Sequence, residues 1–352
     1  MRHLLKKVRQ PLSRIVHTLR ARKAKSALDR EVRVRARPAL KELRKLKAQH
    51  PDRKFCGILL VEHIGDIVAC EPVIGWVRRE VPNSFIIWIL KDSYKELLAS
   101  HPGLDAVVTV RSLAEADPII RSRVFDTCVD LHVNHKPTGV PDLNHVKQWG
   151  DPSINAVNYL KHGSILSAFS KGSGLPPVSG APKLYIPETA TKRVDLLGLP
   201  DSFIAVHTAS NEKAKDWPCS EWIKLVQFLA GVQGMNVIEL GLNQTLNIEH
   251  SRFQSLCGRL SLMETAEVIR RARFFIGIDS ALAHMANALE RPGLILFSRY
   301  RGEDSFLPYE GLFAGRSDEM ILRHPSSLDS LPASLVIEKL KQNSFWPSIA
   351  RN

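Results

Sequence analysis

Short apolar runs alternate with amphipathic segments along most of this chain, and that alternation restricts the fold more than any other feature. Residues 55–61 form an apolar run that ends in a glycine-containing loop, residues 62–66. A helical pattern follows over residues 67–80 and stops at Pro82 and Asn83. Continuous apolar runs without alternating polar residues, separated by helical segments, are typical of parallel strands covered by helices on both faces.

The pattern continues and then starts again in the second half of the chain. The predicted strands are residues 55–61, 85–90, 106–110, 127–131, 203–207, 236–240, 274–278 and 294–297, and the predicted helices after the first are residues 94–100, 220–231, 261–272 and 282–289. A Gly-, Pro- and Ser-rich stretch over residues 163–187 is a predicted boundary. We therefore expect an extension over residues 1–54 and two α/β domains, residues 55–187 and 188–352. Ligands of open parallel sheets bind beyond the carboxyl ends of the strands, so a cleft between these domains is the expected site.

The extension is strongly basic. Residues 1–54 hold 19 of the 49 Lys and Arg residues but only four of the 36 acids, whereas the whole chain has a net charge of +13. Apolar residues recur at helical spacing, and Pro11 and Pro38 predict an interruption between helical stretches. Residues 1–50 are therefore predicted to contact an anionic membrane surface. Loose packing on the body or on a partner subunit remains an alternative, and nucleic acid ranks last because residues 1–54 lack aromatic side chains.

Other compositional features exclude several classes of protein. The five cysteines show neither a zinc-site spacing nor a disulfide framework, which favours a reducing cytoplasm. No apolar run approaches the roughly 20 residues that span a bilayer. Basic residues interrupt the apolar core that a signal peptide requires. We expect a cytoplasmic protein without a structural metal.

Three loops carry candidate ligand-binding or catalytic residues. Asp279 and Ser280 follow the predicted strand 274–278, and the first turn of the next helix offers free N–H groups to an anion. His284 lies one turn further along that helix. Helix capping by Asp279 or Ser280 and a half-buried His284 explain the same residues without a ligand, so both interpretations stay open.

The other two loops also follow predicted strands. Thr208, Ser210 and Lys215 lie between strand 203–207 and the next helix, and hydroxyl and ammonium groups suit a diphosphate. A solvated loop is equally consistent with this segment. Gly65 and Asp66 follow the first strand, where a carboxylate is either a general base for an acceptor hydroxyl or a helix N-cap.

Together, these segments resemble glycosyltransferase family 9, the ADP-heptose:lipopolysaccharide heptosyltransferase family. The segment FFIGIDSALAHMANALERPGLILFS resembles the family's strand ending in Asp-[Ser/Thr]-Gly-Leu-x-His, and residues 207–218 resemble its Thr/Ser-rich loop ending in Lys-x-Trp-Pro. The Gly65-Asp66 loop and the Asp130-Leu131 strand end also match, in the family's order. The resemblance covers about residues 55–310.

The resemblance implies a GT-B fold, in which two Rossmann-like domains face each other across a cleft, and an inverting transfer of heptose or a related sugar. It implies ADP-heptose as the donor, a lipopolysaccharide-core or other lipid-linked acceptor, no metal and no tightly bound cofactor, at the inner face of the inner membrane. The implied site residues are Asp66 as general base; Thr208, Ser210, Lys215, Asp279, Ser280, Ala281, Leu282, His284 and Arg299 at the donor; and His63 and Gly65 at the acceptor.

The chain departs from the family pattern in places. Ala281 replaces the family Gly, and residues 298–301 (Ser-Arg-Tyr-Arg) replace Gly-Pro-Thr. The loop over residues 241–245 lacks the acid often found near the nucleoside, where Asn243 or Gln244 would serve instead. A non-catalytic nucleotide-sugar-binding or assembly protein is therefore the alternative function. A dehydrogenase is disfavoured because no G-x-G-x-x-G follows the first strand.

Overall fold

The computed structural model describes residues 2–61, 63–133, 150–299 and 306–346, with side chains from Ser26 onward. Its strands are β1 (Lys54–Leu59), β2 (Ser84–Lys91), β3 (Ala106–Val110), β4 (Thr127–Asp130), β5 (Phe203–His207), β6 (Asn236–Glu239), β7 (Phe253–Ser255), β8 (Phe274–Ile278), β9 (Gly293–Phe297) and β10 (Ile321–Arg323). They form two parallel sheets, in the orders β3-β2-β1-β4 and β10-β9-β8-β5-β6-β7.

Helices cover both sheets and connect their strands. The helices are α1 (Arg2–Gln49), α2 (Ile64–Ala69), α3 (Val73–Glu80), α4 (Glu96–Ala99), α5 (Ala116–Arg121), α6 (Ile165–Gly172), α7 (Glu188–Asp195), α8 (Cys219–Gln227), α9 (Leu262–Arg271), α10 (Ala281–Ala288), α11 (Leu312–Gly315), α12 (Ser317–Met320) and α13 (Ala333–Gln342). The central strands are buried along almost their whole length, as the apolar runs predicted.

Strand register places the site loops at the carboxyl edges of the sheets. In the first sheet, Leu59 pairs with Ile89 and with Asp130, so the loop after β1 leaves from the same edge as the ends of β2 and β4. In the second sheet, His207 pairs with Gly277, so the loops after β5 and β8 begin side by side. This is the edge at which open parallel sheets bind ligands.

The strand predictions are confirmed to within two residues, but the single helix predicted over residues 67–80 is wrong. The pattern over residues 67–80 is two helices, because Pro72 occupies the N-cap of α3 and cannot continue α2. The segment 163–187, predicted as a boundary, lies between the strands of the two sheets and contains α6. Its Gly- and Ser-rich composition hid an apolar face that includes the buried Leu166 and Phe169.

The predicted interruption of the extension at Pro11 and Pro38 is also wrong, since α1 is continuous. A proline removes one hydrogen bond and strains the preceding turn, at a cost of about 3 kcal/mol. Three buried residues on one side of α1 offset that cost by packing on the first sheet: Ala36, Ala39 and Leu43. Within the described ranges, no helix is both long and apolar enough to cross a membrane.

The two sheets are brought together through helices at their facing edges. Helix α2 of the first unit packs against α10 of the second, and α4 packs against α9. The Glu96 carboxylate on α4 accepts hydrogen bonds from Ser261 Oγ at 2.9 Å and from the Leu262 amide at 2.8 Å. Loops that are about 200 residues apart in sequence therefore share one cleft.

Candidate functional site

Asp66 lies in the first turn of α2, on the side of the first sheet that faces the second. Its carboxyl group is half-buried, and burial raises its pKa from 3.8 to about 6. The positive charges of His63 and Lys215 oppose that rise, and the negative charge of Asp279 adds to it. Asp66 therefore responds to charges from both loops of the second sheet, so all three predicted loops meet here.

Lys215 and Asp279 form an ion pair at the edge of the second sheet. Asp279 follows β8 directly, and Lys215 ends a short 3₁₀ turn after β5. Lys215 Nζ lies 2.9 Å from Asp279 Oδ2, and the two side chains are only 18% and 13% exposed. Low exposure strengthens the attraction relative to a surface pair and places a positive charge at the mouth of α10.

His284 lies at the contact between α2 and α10. Its ring is buried on α10, and burial lowers its pKa to about 4, so the imidazole is neutral at neutral pH. A Cβ atom on Gly65 would lie 2.8 Å from His284 Cδ2. Only a glycine allows α2 and α10 to approach this closely, and this contact fixes Asp66 opposite the start of α10.

The first turn of α10 has an unused hydroxyl group. Ser280 occupies the N-cap position, but its side chain accepts no capping hydrogen bond from the helix. Its buried Oγ has no hydrogen-bond partner among the described residues. A simple cap, the alternative to a ligand site, would use this oxygen on a helix amide. An unpaired hydroxyl beside free helix amides is instead the donor set that an anion binds.

Thr208 and Ser210 have partners within their own domain. Thr208 Oγ1 lies 3.2 Å from Glu239 Oε1 and 2.6 Å from Thr245 Oγ1. Ser210 Oγ donates to Asp216 Oδ1 at 3.0 Å, and the same carboxylate accepts from the Ser210 amide. Both residues order the loops around Lys215 in this arrangement. Their predicted contact with a donor diphosphate stays a prediction.

Glu239 organises the neighbouring loop and was not predicted from the sequence. It is fully buried at the end of β6, and its Oε1 accepts hydrogen bonds from the amides of Thr245 and Leu246 at 3.0 and 3.2 Å. Its Oε2 is buried without a partner among the described residues. A single acidic residue, Glu239, inside the apolar run of the predicted strand 236–240 was the sequence feature that indicated a buried, hydrogen-bonded carboxylate. It holds the loop that contains Asn243 and Gln244.

Tyr309 is a second site residue that the sequence did not reveal. Its buried hydroxyl donates to Asp279 Oδ1 at 3.4 Å, and its ring centroid lies 4.7 Å from that of His284. Burial and the negative charge of Asp279 raise the pKa of Tyr309 above its ordinary value, so the hydroxyl remains a donor. Tyr309 thus contacts both Asp279 and His284.

The remaining predicted residues lie at the start of α2, in the first turn of α10 and after β9. His63 is exposed, with a positive φ of 66°, at the entrance to α2. Ala281 and Leu282 form the first turn of α10, and the amide of the exposed Arg299 donates to Ser326 O at 3.3 Å. Arg301 lies outside the described residues. The described part of the chain contains no group of three or more His, Cys, Asp or Glu side chains that could hold a metal ion.

Comparison with known proteins agrees with the motif-based interpretation. Residues 165–309 match the model of a family described as glycosyltransferase family 9 (heptosyltransferase). Lipopolysaccharide heptosyltransferase 1 of Salmonella typhimurium is 27% identical over 283 residues, covering 68% of this chain and 87% of the relative. Its counterpart in Escherichia coli K12 is 21% identical and covers 80% of this chain and 98% of the relative.

Solved structures agree on the fold. The E. coli ADP-heptose lipopolysaccharide heptosyltransferase II aligns with a TM-score of 0.62 at 15% identity, over 84% of this chain and 99% of that chain. The E. coli heptosyltransferase WaaC with ADP aligns with a TM-score of 0.53 at 16% identity, over 82% and 98%. The predicted α/β architecture of two facing Rossmann-like units, the GT-B fold, is confirmed.

Proposed function

We propose that this chain, whose residues 165–309 match glycosyltransferase family 9, transfers a heptose or a related sugar, with inversion, from ADP-heptose to a lipopolysaccharide-core or other surface-glycan acceptor. The convergence of Asp66 with Lys215, Asp279 and His284 at the facing edges of the two sheets is the observation that carries this proposal. It combines a carboxylate of raised basicity with a cationic helix terminus, which are the two groups that such a transfer requires.

Asp66 acts as the general base. As the acceptor hydroxyl oxygen forms a bond to the anomeric carbon, its proton passes to the Asp66 carboxylate. The bond between the anomeric carbon and the diphosphate breaks on the opposite face, and its electron pair leaves with the nucleoside diphosphate. A pKa of about 6 makes Asp66 a stronger base than an ordinary aspartate while leaving it mostly ionised at neutral pH.

Lys215 and the start of α10 receive the charge that develops on the leaving diphosphate. The Lys215 ammonium group is already close to the α10 N-terminus through its pairing with Asp279. The unpaired Ser280 hydroxyl and the free amides at Ala281 and Leu282 add donors without needing a metal. Thr208, Ser210 and Arg299 complete the proposed donor site.

The acceptor binds on the side of the first sheet, next to His63 and Gly65. The relatives named as lipopolysaccharide heptosyltransferases support a lipopolysaccharide-core acceptor. The neighbouring structure with bound ADP supports an adenosine diphosphate donor. With such an acceptor, we place the protein in the cytoplasm at the inner face of the inner membrane, which residues 1–50 contact.

The substitution Asp66→Asn tests the chemistry. It removes the base while keeping the size of the side chain, so we expect transfer to fall by at least about 100-fold and ADP binding to persist. Transfer would be measured as ADP release from ADP-heptose in the presence of a heptose-free lipopolysaccharide core. ADP, UDP and GDP binding would be measured by thermal shift. In the unsubstituted protein, kcat/KM should decrease as the pH falls through about 6.

Asp201→Asn is the matched control, because Asp201 is exposed and lies outside the cleft. It should leave both transfer and ADP binding unchanged. A protein that binds ADP but shows no transfer in its unsubstituted form would instead be the non-catalytic binding protein. Stabilisation by none of the three nucleotides would contradict both functions.

A further inference from the structure

One side of α1 presents cations to solvent without a neutralising partner. Its members follow each other at intervals of three or four residues, which places them along one side of the helix. All are exposed, and none forms an ion pair with a described residue. We call this set the outer face of α1: Arg30, Arg33, Arg37, Lys41 and Arg44.

The opposite side of α1 is fully occupied by the protein itself. Its apolar residues pack on the first sheet, with Ala36 and Leu43 completely buried. Two cations on the flanks of this side pair with acids of the body, Arg35 with Glu115 at 3.8 Å and Lys47 with Asp126 at 2.7 Å. From Ser26 onward, where its side chains are described, α1 therefore has no apolar stripe left to insert into a bilayer. Any contact that its outer face makes must be electrostatic.

The direction of α1 relates its outer face to the cleft. Lys47 contacts Val124 O and Asp126, immediately before β4 begins, at the amino edge of the sheet. Arg35 reaches Glu115, which follows the end of β3 at the carboxyl edge. Helix α1 therefore runs antiparallel to the strands, and its N-terminal part leaves at the edge that carries the Asp66 loop. From Val32 back to Arg2 it continues for about 45 Å at 1.5 Å per residue.

We propose that the outer face of α1 is an electrostatic docking surface for an anionic phospholipid membrane and that it holds the acceptor side of the cleft beside that membrane. The inference rests on the proposed function only in its choice of a lipid-linked acceptor. Five cations in a row over about 21 Å of rigid helix match a flat layer of phosphate groups. Residues 1–54 contain no Phe, Tyr or Trp for stacking on bases, so nucleic acid is the less suitable partner.

The decisive experiment removes charge from the outer face of the full-length protein. Each cation close to an anionic surface contributes roughly five-fold to membrane partitioning. The quadruple variant R30Q/R33Q/R37Q/R44Q should therefore bind at least about 100-fold more weakly to vesicles of phosphatidylcholine with about 30 mol% phosphatidylglycerol. Binding of the unsubstituted protein should be weak on pure phosphatidylcholine vesicles and should decrease with added salt.

A control with the same change in net charge separates local from global electrostatics. It replaces four exposed cations of the second unit by Gln: Lys224, Arg252, Arg259 and Lys341. This variant should keep most of its vesicle affinity. The pairs R30Q/R33Q and K41Q/R44Q should each lose part of the affinity, because the proposed face spans both ends. If one pair accounted for the whole loss, docking by the full face would be wrong.

Other outcomes overturn the proposal in distinct ways. If the quadruple variant and the control lost equal vesicle affinity, the net charge of the protein, and not the outer face, would determine membrane binding. If deletion of residues 2–25 abolished vesicle binding and the quadruple variant kept it, the membrane contact would lie within residues 2–25 and not on the outer face. Tighter binding to a single-stranded or double-stranded 20-mer than to vesicles would identify a nucleic-acid surface. The ADP thermal shift of the quadruple variant should be unchanged, because the outer face lies outside the donor site. A loss of vesicle binding in that variant therefore tests the docking surface and not the proposed function.

Discussion

Asp66 imposes a free-energy cost on the folded protein at neutral pH. Its pKa is raised from 3.8 to about 6, so the folded state binds a proton more tightly than the unfolded chain. Such a group stabilises the fold fully below the unfolded pKa, and that contribution disappears as the pH rises through the folded pKa. At one pKa unit per 1.36 kcal/mol, the cost above pH 6 is at most about 3 kcal/mol.

Asp66→Asn should therefore stabilise the protein while it abolishes transfer. We expect the free energy of unfolding to increase by on the order of 2 kcal/mol at pH 8, with the difference vanishing near pH 4. Urea unfolding at both pH values measures this. The control Asp201→Asn should show no such pH dependence. If Asp66→Asn were less stable than the unsubstituted protein at pH 8, the ionised Asp66 carboxylate would not destabilise the fold.

At the scale of single residues, the sequence identified the groups that follow strand ends. Lys215 and Asp279 lie close together because parallel register aligns the carboxyl ends of β5 and β8. Asp66 follows the carboxyl end of β1 in the other sheet and meets them through the contact between α2 and α10. Tyr309 escaped prediction because its role depends on the path of a long connection after β9. That path has no periodicity that would direct the side chain towards Asp279.

Gly65→Ala tests the contact between α2 and α10. The added Cβ would lie 2.8 Å from His284 Cδ2, and that ring cannot move freely because it also packs against Tyr309. We expect the helices to separate and kcat/KM to fall by about 10- to 100-fold, since small displacements of a catalytic group are costly. Steady-state kinetics and the melting temperature measure the two effects.

Gly75→Ala, in the neighbouring α3, is the matched control for that substitution. The added Cβ would meet Arg79 Nη1 at 3.5 Å, an ordinary contact, so transfer should be unchanged. The better helix propensity of alanine should increase stability by up to about 1 kcal/mol. Full activity in the Gly65→Ala variant would mean that the α2–α10 contact is not part of the reactive arrangement.

The docking of α1 can be tested in the same way. Leu43 is fully buried against the first sheet, so Leu43→Ala should lower the free energy of unfolding by about 2–5 kcal/mol. Val34 on the same helix is 48% exposed, and Val34→Ala should change stability by less than about 0.5 kcal/mol. Urea unfolding compares them. Equal effects would show that α1 does not pack on the sheet in solution.

Among the elements, strands were predicted better than helices for a physical reason. A strand buried on both faces is a continuous apolar run, which is easily recognised over residues such as 274–278. Helix boundaries depend on how a proline is accommodated. Pro72 ends one helix and starts another, whereas Pro38 lies within α1, where tertiary packing outweighs its cost.

Contacts between the two units set the shape of the whole molecule, and the sequence offered no sign of them. Glu96 resembles any exposed acid at a helix start, yet its carboxylate accepts from Ser261 Oγ and the Leu262 amide at the N-terminus of α9. The positive end of the α9 dipole strengthens this contact. Together with Gly65 and His284, it holds the sheets close on either side of the proposed donor site.

Glu96→Ala should shift the molecule towards an open arrangement. A charge-assisted hydrogen bond at a helix N-terminus is worth roughly 1–2 kcal/mol, enough to change the ratio of closed to open molecules by about five- to thirty-fold. We expect a larger radius of gyration by small-angle scattering without nucleotide, and a return towards the unsubstituted value with saturating ADP. Glu338→Ala, an exposed acid on α13, should leave the radius unchanged. If Glu96→Ala behaves like Glu338→Ala, closure depends on the α2–α10 contact alone.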